Sequence, residues 1–152
     1  MIHKIVSGGQ TGVDRAALNV ALELNIPCGG WCPRGRIAED GRIAEHYPLQ
    51  ETPSRQYAQR TEWNVRDSDG TLILNQGKLS GGTLLTWKKA EVLKKQHLVI
   101  PLSSNADCAA VWNWIHAHHI QILNIAGPRE NSKHSIYKAA KTLLHQLFQA
   151  TL

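Results

Sequence analysis

The chain has 152 residues, 42% hydrophobic and 19% charged, which predicts one soluble globular domain spanning residues 1–152. No apolar run approaches the length that crosses a membrane and no signal peptide is recognisable, which excludes a membrane protein and predicts a cytoplasmic location. The net charge of +5 favours anionic ligands, but the basic residues are scattered along the sequence, which argues against nucleic acid as the partner.

The first element is a short apolar strand at Ile5–Val6, followed by a glycine-rich turn and by a helical pattern of apolar residues from Val13. Thr11 and Asp14 have the spacing of a capping box, which predicts that the helix begins there. Unpaired N–H groups and the macrodipole attract anions to a helix N-terminus, and glycines let a ligand approach closely. The turn therefore predicts an oxyanion- or nucleotide-binding loop, with a purely structural turn as the alternative. Its candidate ligand residues are Ser7, Gly8, Gly9, Gln10, Thr11, Gly12, Asp14 and Arg15.

A second, short strand is predicted at residues 26–31, before a long irregular stretch. That stretch, residues 32–49, is rich in glycine, proline and charge, and it is longer than an ordinary connection. Long loops in small domains often carry function, although a surface excursion without a role is the alternative. Its candidate ligand residues are Arg34, Gly35 and Asp40.

The central part of the chain repeats the arrangement of strand, glycine loop and helix. Thr52 and Pro53 predict the N-cap and the first residue of a polar helix over residues 53–66. A buried strand at residues 71–74 and a helix over residues 83–95 follow, separated by a loop that contains two adjacent glycines. The candidate ligand residues around this second glycine loop are Gly81, Gly82, Thr83 and Thr86.

The last third of the chain continues the alternation of strands and helices. A strand at residues 98–102 precedes a capping box at Ser104 and Asp107, which predicts the start of another helix. A strand at residues 120–126 runs into a third glycine-containing loop, and the final helix covers residues 135–149. The candidate ligand residues of the third loop are Gly127 and Arg129.

The alternation predicts an α/β domain with a mainly parallel sheet. Because the carboxyl ends of parallel strands lie at one edge of a sheet, the three glycine loops should converge on one crevice. A guanidinium such as that of Arg129 suits bidentate contact with an oxyanion. The sequence therefore predicts a site for a small anionic ligand.

Other chemistries have weaker signals. Cys28 and Cys32 lack the spacing of a zinc site and have no second pair, so no metal site is predicted and the cysteines are interpreted as free thiols. Glu39, Asp40 and other acidic residues could act as general bases or bind ribose hydroxyls. No residue is assigned a catalytic role, and whether the protein is an enzyme is left open.

Several of these segments together resemble the putative molybdenum (cofactor) carrier family. The similarity lies in Gly8–Ala17, Gly30–Arg36, Ala38–Gly41, Asp67–Leu72, Gly81–Thr83 and Ala126–Arg129, in order along almost the whole chain. The family resembles the SLOG superfamily, which includes the lonely-guy-type phosphoribohydrolases and the DprA DNA-processing proteins. The resemblance implies a Rossmann-like three-layer sandwich, a molybdenum cofactor or a nucleotide as ligand, and a homo-oligomer.

One departure from the phosphoribohydrolases affects the expected activity. Those enzymes carry a motif of the form Pro-Gly-Gly-x-Gly-Thr-x-x-Glu at the second loop, where the glutamate assists cleavage of the glycosidic bond. Residues 80–87 of this chain contain no acidic residue. The leading hypothesis is therefore a molybdenum-cofactor carrier or a binder of a nucleotide-derived ligand. The alternatives are a phosphoribohydrolase-like enzyme whose slow turnover of nucleotides depends on Glu39 or Asp40, and a salt-sensitive binder of single-stranded nucleic acid.

Overall fold

Five parallel strands form the centre of the molecule, seen in a computed structural model that describes residues 1–103, 105–131 and 135–149. The helices and strands follow the alternation of hydrophobic patterns in the sequence. In chain order they are β1 (Lys4–Val6), α1 (Val13–Glu23), β2 (Cys28–Gly29), β3 (Trp31–Cys32), β4 (Ile37–Ala38), β5 (Gly41–Arg42), β6 (Gln50–Glu51), α2 (Tyr57–Arg66), β7 (Gly70–Asn75), α3 (Gly81–Val92), β8 (Gln96–Pro101), α4 (Cys108–Ala117), β9 (Ile122–Ala126) and α5 (Ile136–Gln149).

The central sheet has the strand order β2-β1-β9-β7-β8, and every neighbouring pair is parallel. Helices α1 and α5 pack against each other on one face, where α4 joins the same hydrophobic core. Helices α2 and α3 pack against each other as a second pair, and α3 contacts strands β7 and β8. The predicted Rossmann-like three-layer α/β sandwich is confirmed.

The two helical layers differ in what they bury. Helices α1 and α5 present apolar stripes to the sheet, including Val13, Ala17 and Leu144, none of which is exposed. Fully burying a valine or leucine side chain stabilises the fold by about 1.5–3 kcal/mol. Helix α3 instead buries the two hydroxyl side chains of Thr83 and Thr86. The polar interior therefore lies on the α2–α3 side.

No helix in the described ranges is long and apolar enough to cross a bilayer.

The predicted capping box at the start of α1 is wrong. The N-cap is Gly12, and no side chain caps the helix. The hydroxyl of Thr11 instead accepts a hydrogen bond from the backbone N–H of Glu130, 3.1 Å away. The carboxylate of Asp14 accepts from the N–H of Gln10, which lies outside the helix. Both side chains that local spacing assigned to capping therefore form hydrogen bonds outside the helix instead.

The predicted start of α2 is also wrong, by four residues. Thr52 is 1% exposed, and its hydroxyl donates to the carbonyls of Cys32 and Ser54 instead of capping a helix. These bonds fix the strand pair β3–β6, and the helix begins only at Tyr57.

The remaining boundaries shift by smaller amounts. Helix α3 begins at Gly81, so the glycine pair forms its first turn instead of a loop before it, and the helix ends at Val92. Asp107 is the N-cap of α4 and accepts from the N–H of Ala110, while the predicted partner Ser104 lies outside the described residues.

The stretch predicted to be irregular is organised around one buried arginine. Strands β4 and β5 form a hairpin within it, and β3 pairs with β6 at its two ends. Arg36 is 6% exposed and donates to four main-chain carbonyls. These belong to Ile43, Ala44, Tyr47 and Leu49, at 2.7–3.2 Å. The stretch folds back over the first glycine loop, because the side chains of Ile43 and Leu49 lie against Gly9.

Candidate functional site

A cavity of about 730 Å³ lies where β1, β9 and β7 end, at the carboxyl edge of the sheet. The chain leaves β1 towards β2 on one side and leaves β7 towards β8 on the other, so the direction of the connections reverses at this point. Open α/β sheets bind ligands at such a reversal. The lining comes from the loops before α1, α3 and α5, from α2, and from the β4–β5 hairpin.

The glycine loop before α1 is closed by the protein itself. Four backbone N–H groups in and after the first glycine loop donate to protein acceptors, so they are not open to an anion. The pairs are Gly9 with Ser7 Oγ (3.2 Å), Gln10 with Asp14 Oδ2 (3.3 Å), Thr11 with Gln10 Oε1 (2.9 Å) and Val13 with the Pro128 carbonyl (3.2 Å).

The N-terminus of α5 is closed in a similar way. The carboxylate of Glu130 accepts from the N–H groups of Ile136 at 2.7 Å and Tyr137 at 3.4 Å. A negative charge therefore already occupies the positive end of this helix dipole. The third loop consequently offers side chains, such as Arg129, more than free amides.

The N-terminus of α3 is different, because its first amides are free. Ser80, the N-cap, makes no side-chain cap, and within the described residues the N–H groups of Gly81, Gly82 and Thr83 have no partner. All four residues line the cavity. A Cβ atom on Gly81 or Gly82 would meet nothing within 4 Å. The positive end of the α3 dipole thus faces open space in the cavity, which is the geometry that binds an oxyanion.

A buried ion pair forms another part of the cavity wall. Asp14 is 4% exposed, and its Oδ2 lies 3.0 Å from Nη1 of Arg60, on α2. Burial raises the pKa of Asp14 above 3.8, although the charge of Arg60 and its hydrogen bond act in the opposite direction. Nε of Arg60 is buried without a hydrogen-bond partner, and the guanidinium lies over the ring of Tyr57.

Gly8 makes this ion pair possible. Its missing side chain leaves room for the guanidinium of Arg60, since a Cβ atom at this position would overlap Nη1 of Arg60. Arg60 therefore crosses the first glycine loop to reach Asp14. The glycine serves the approach of a protein side chain, whereas the sequence predicted the approach of a ligand.

The β4–β5 hairpin is tied to the rim of the cavity by charged groups. Arg15 donates to the Gly9 carbonyl and pairs with Asp40 at 3.1 Å, and this hydrogen bond lowers the pKa of Asp40. Arg129 pairs with Glu39 at 2.9 Å. Two of the three arginines that were predicted to bind the ligand, Arg15 and Arg129, are thus engaged with carboxylates of the hairpin.

Comparison with known proteins identifies the family of the chain. The model of the circularly permutated YpsA SLOG family matches residues 5–148, almost the whole chain. This chain belongs to that family. No curated protein matches this SLOG protein significantly.

A crystal structure shows the same fold in a related protein. It is described as a putative molybdenum carrier protein from Syntrophus aciditrophicus SB, and it superimposes on this SLOG protein with a TM-score of 0.91. The two are 51% identical, and the match covers 97% of this chain and 95% of the other. The predicted resemblance to this carrier family is confirmed at the level of fold and sequence.

The predicted ligand residues of this SLOG protein divide into three groups. Some line the cavity, namely Gln10, Asp14, Gly81, Gly82, Thr83, Thr86, Gly127 and Arg129. Others lie beside it and hold its walls, namely Ser7, Gly8, Gly9, Thr11, Gly12, Arg15 and Asp40. Arg34 and Gly35 are exposed and do not line it.

Sequence reasoning missed Arg60, and the available signal was faint. The polar composition of α2 indicated a solvated face or a polar site, without distinguishing between them.

Within the described ranges, no group of three or more His, Cys, Asp or Glu side chains could hold a metal ion, and all three cysteines are free thiols.

Two glycines at helix starts are expected to respond oppositely to alanine. Gly12 has a φ of 81°, and a Cβ atom there would overlap the Pro128 carbonyl and lie 2.7 Å from the carbonyl carbon of Arg129. Gly12→Ala should therefore lower the free energy of unfolding by about 2 kcal/mol. Gly82→Ala should leave it unchanged or raise it by up to about 1 kcal/mol, since alanine favours the helix. Urea unfolding of both variants tests this, and equal midpoints would contradict it.

Proposed function

We propose that this SLOG protein binds a small phosphorylated organic molecule, of the nucleotide or pterin type, with its oxyanion at the N-terminus of α3. The supporting observation is the contrast between the three helix starts. The loop amides before α1 and the first amides of α5 are filled by the protein's own acceptors, whereas Gly81, Gly82 and Thr83 direct free amides into the cavity. Thr83, a largely buried residue whose side chain carries a hydroxyl, also lines the cavity and adds a further donor.

The size of the cavity supports an organic ligand over a bare oxyanion. At about 730 Å³ it falls within the range of roughly 300–1,000 Å³ that is usual for small-molecule sites. Phosphate or molybdate alone would occupy only a small part of it. A molybdenum cofactor held through its pterin phosphate would reconcile the site with the description of the Syntrophus protein as a putative molybdenum carrier.

The carboxylates of the cavity favour binding over hydrolysis. Asp14 is paired with Arg60, Glu39 with Arg129, and the carboxylate of Glu130 caps α5. Each is therefore engaged, whereas a general base needs a carboxylate that is free to take a proton from the attacking water. Binding without turnover is accordingly the function that we propose. The cytoplasmic location and the homo-oligomer stay predictions.

A charge change on α3 tests this proposal. In Gly82→Asp the new carboxylate would compete for the free amides, and we expect nucleoside monophosphates to bind about 100-fold more weakly, measured by calorimetry. The matched Gly82→Asn variant has nearly the same shape without the charge and should retain most of the affinity. An acid in the first helical turn is favourable for folding, so both variants should be stable.

Two results would overturn the proposal. One is unchanged affinity of Gly82→Asp for every phosphorylated ligand that the native protein binds. The other is molybdate or inorganic phosphate binding as tightly as any nucleotide or pterin phosphate, since the remainder of the cavity would then contribute nothing.

A further inference from the structure

Strand β8 forms an open edge of the central sheet. Its six residues, Gln96–Pro101, pair with β7 on one side, and no strand of the described chain pairs with the other side. The N–H of Leu102, the residue after β8, donates to a carbonyl of β7, and successive residues of a strand direct their main-chain groups to alternate sides. The N–H groups of His97 and Val99, and the carbonyls of these residues and of Pro101, therefore point to the open side.

β8 lacks most of the features by which proteins protect such an edge. Sheet edges are commonly short, bulged or charged, because an open row of N–H and C=O groups is a template for another strand. β8 instead keeps an unbroken register with β7 along its whole length, and it contains no lysine, arginine or acidic residue. Proline occurs only at its last residue, and Val99, near its middle, is 36% exposed. The edge is therefore open to pairing with another strand.

Helix α3, which packs beside this edge, leaves large apolar side chains outside the core. The residues that it buries are small, namely Thr83, Thr86 and Ala90. Trp87 is only partly buried, and its ring lies edge-on to that of His97 in β8, with 5.9 Å between the centroids. Leu84, also partly buried, precedes Trp87 by one turn on the same side of the helix, and Val99 lies on the same face of the sheet as His97. Leu84, Trp87 and Val99 thus form an apolar strip along the open edge, here called the edge strip.

The side chain of His97 is fixed in place beside the edge strip. One ring nitrogen lies 2.9 Å from the carbonyl of Lys95, and the other lies 2.9 Å from the carboxylate of Glu91. A surface whose side chains are ordered before association loses less conformational entropy when a partner binds. The edge is therefore preorganised for a partner.

We propose that β8 pairs with β8 of a second copy of this chain, antiparallel about a two-fold axis at Val99, so that two central sheets become one. Val99 then exchanges N–H···O bonds with its own counterpart, and His97 donates to the carbonyl of Pro101 in the second copy. The missing N–H of Pro101 falls at the ends of the paired segment and not in its middle. This inference goes beyond the proposed function, since it requires no ligand.

The spacing of sheet and helices favours a second copy over any other partner. Because α3 contacts both β7 and β8, its axis lies over the space between them. With strands about 4.8 Å apart, a sheet continued across the two-fold axis places the two α3 helices about 10 Å apart, the usual distance between packed helices. The two edge strips then bury each other. A single extended peptide could pair with the edge, but it would leave Leu84 and Trp87 exposed.

Opposite charges at Val99 test the proposed axis, with native mass spectrometry and sedimentation as the measurements. The native protein should be a dimer. Val99→Lys sets two ammonium groups against each other across the axis, and Val99→Asp sets two carboxylates, so each variant should dissociate at least about tenfold more readily. An equal mixture of the two variants should form a mixed dimer, recognised by its mass. Leu22→Lys, on α1 at a side chain that is 40% exposed, is the matched control and should remain dimeric.

Hydrogen exchange on the native protein tests the same pairing without a variant. The N–H groups of Leu98 and Ile100 face β7 and should be protected at any concentration. Those of His97 and Val99 should be protected in the dimer and should exchange faster on dilution. This measurement decides the question even if a Val99 variant does not fold.

Four results would overturn the inference. A native protein that stays monomeric at micromolar concentrations has no such interface. Fast exchange of the His97 and Val99 amides in a dimer would place the contact elsewhere, as would a dimer that persists in both Val99 variants. Failure of the two variants to form a mixed dimer would show that Val99 does not face its own counterpart. The oxyanion site is tested separately by Gly82→Asp, so the proposed function stands or falls independently.

Discussion

Arg60→Met is expected to lower the free energy of unfolding by about 3–5 kcal/mol at pH 7, because it leaves the carboxylate of Asp14 buried without a counter-charge. Asp14 is 4% exposed, and Arg60 is the only cation with a hydrogen bond to it among the described residues. Urea unfolding at pH 7 measures the loss. Arg66→Met is the matched control on the same helix, where an exposed pair with Asp67 should contribute at most about 1 kcal/mol.

The loss in Arg60→Met should depend on pH in a defined direction. Burial raises the folded-state pKa of Asp14 above 3.8, so the folded protein holds this proton more tightly than the unfolded chain. The stability contributed by Asp14 is therefore complete below 3.8 and decreases as the pH rises through the folded-state pKa. Removing Arg60 raises that pKa further, so the deficit of the variant should widen between pH 4 and pH 7. A deficit that is constant with pH would show that lost packing, and not charge, causes it.

Arg36→Lys is expected to lower the free energy of unfolding by about 3 kcal/mol or more, although the positive charge is retained. The planar guanidinium of Arg36 donates to four carbonyls in different directions, and an ammonium group cannot reproduce that arrangement. Each buried carbonyl that loses its donor costs about 1–3 kcal/mol. Thermal and urea unfolding measure the overall loss.

Arg42→Lys is the matched control for Arg36→Lys. It lies in the β4–β5 hairpin, and its main partner is Glu45 in an exposed pair, so the change should be within about 0.5 kcal/mol. Hydrogen exchange should show faster opening of residues 36–49 in Arg36→Lys but not in Arg42→Lys. Similar losses in the two variants would mean that Arg36 does not organise the stretch.

The order of strands and helices in the central sandwich was predictable because each element has its own local hydrophobic pattern. The buried strand β7 and the apolar stripe of α5 are examples, since burial of a continuous run or of one helix face needs no knowledge of distant residues. The convergence of the three glycine loops followed from the parallel topology alone.

Helix starts were less predictable because capping side chains have competing partners. Thr11 and Thr52 have the sequence context of N-caps, yet their hydroxyls bond to groups that are distant in the chain. The roles of Arg36 and Arg60 were not predictable either. Arg36 lies among other arginines that are exposed, and Arg60 lies on a polar helix, so only the tertiary structure distinguishes the two buried guanidinium groups from solvated ones.

The position of β9 has a consequence for how the chain acquires its structure during synthesis. β1 and β7 do not pair with each other, and each pairs with β9, which is the last strand to leave the ribosome. The β1–β2 and β7–β8 pairs therefore emerge as separate fragments with unpaired edges, which are prone to association with other chains. The nascent protein should need protection by chaperones until residue 126 has emerged, and only then can one cooperative sheet form.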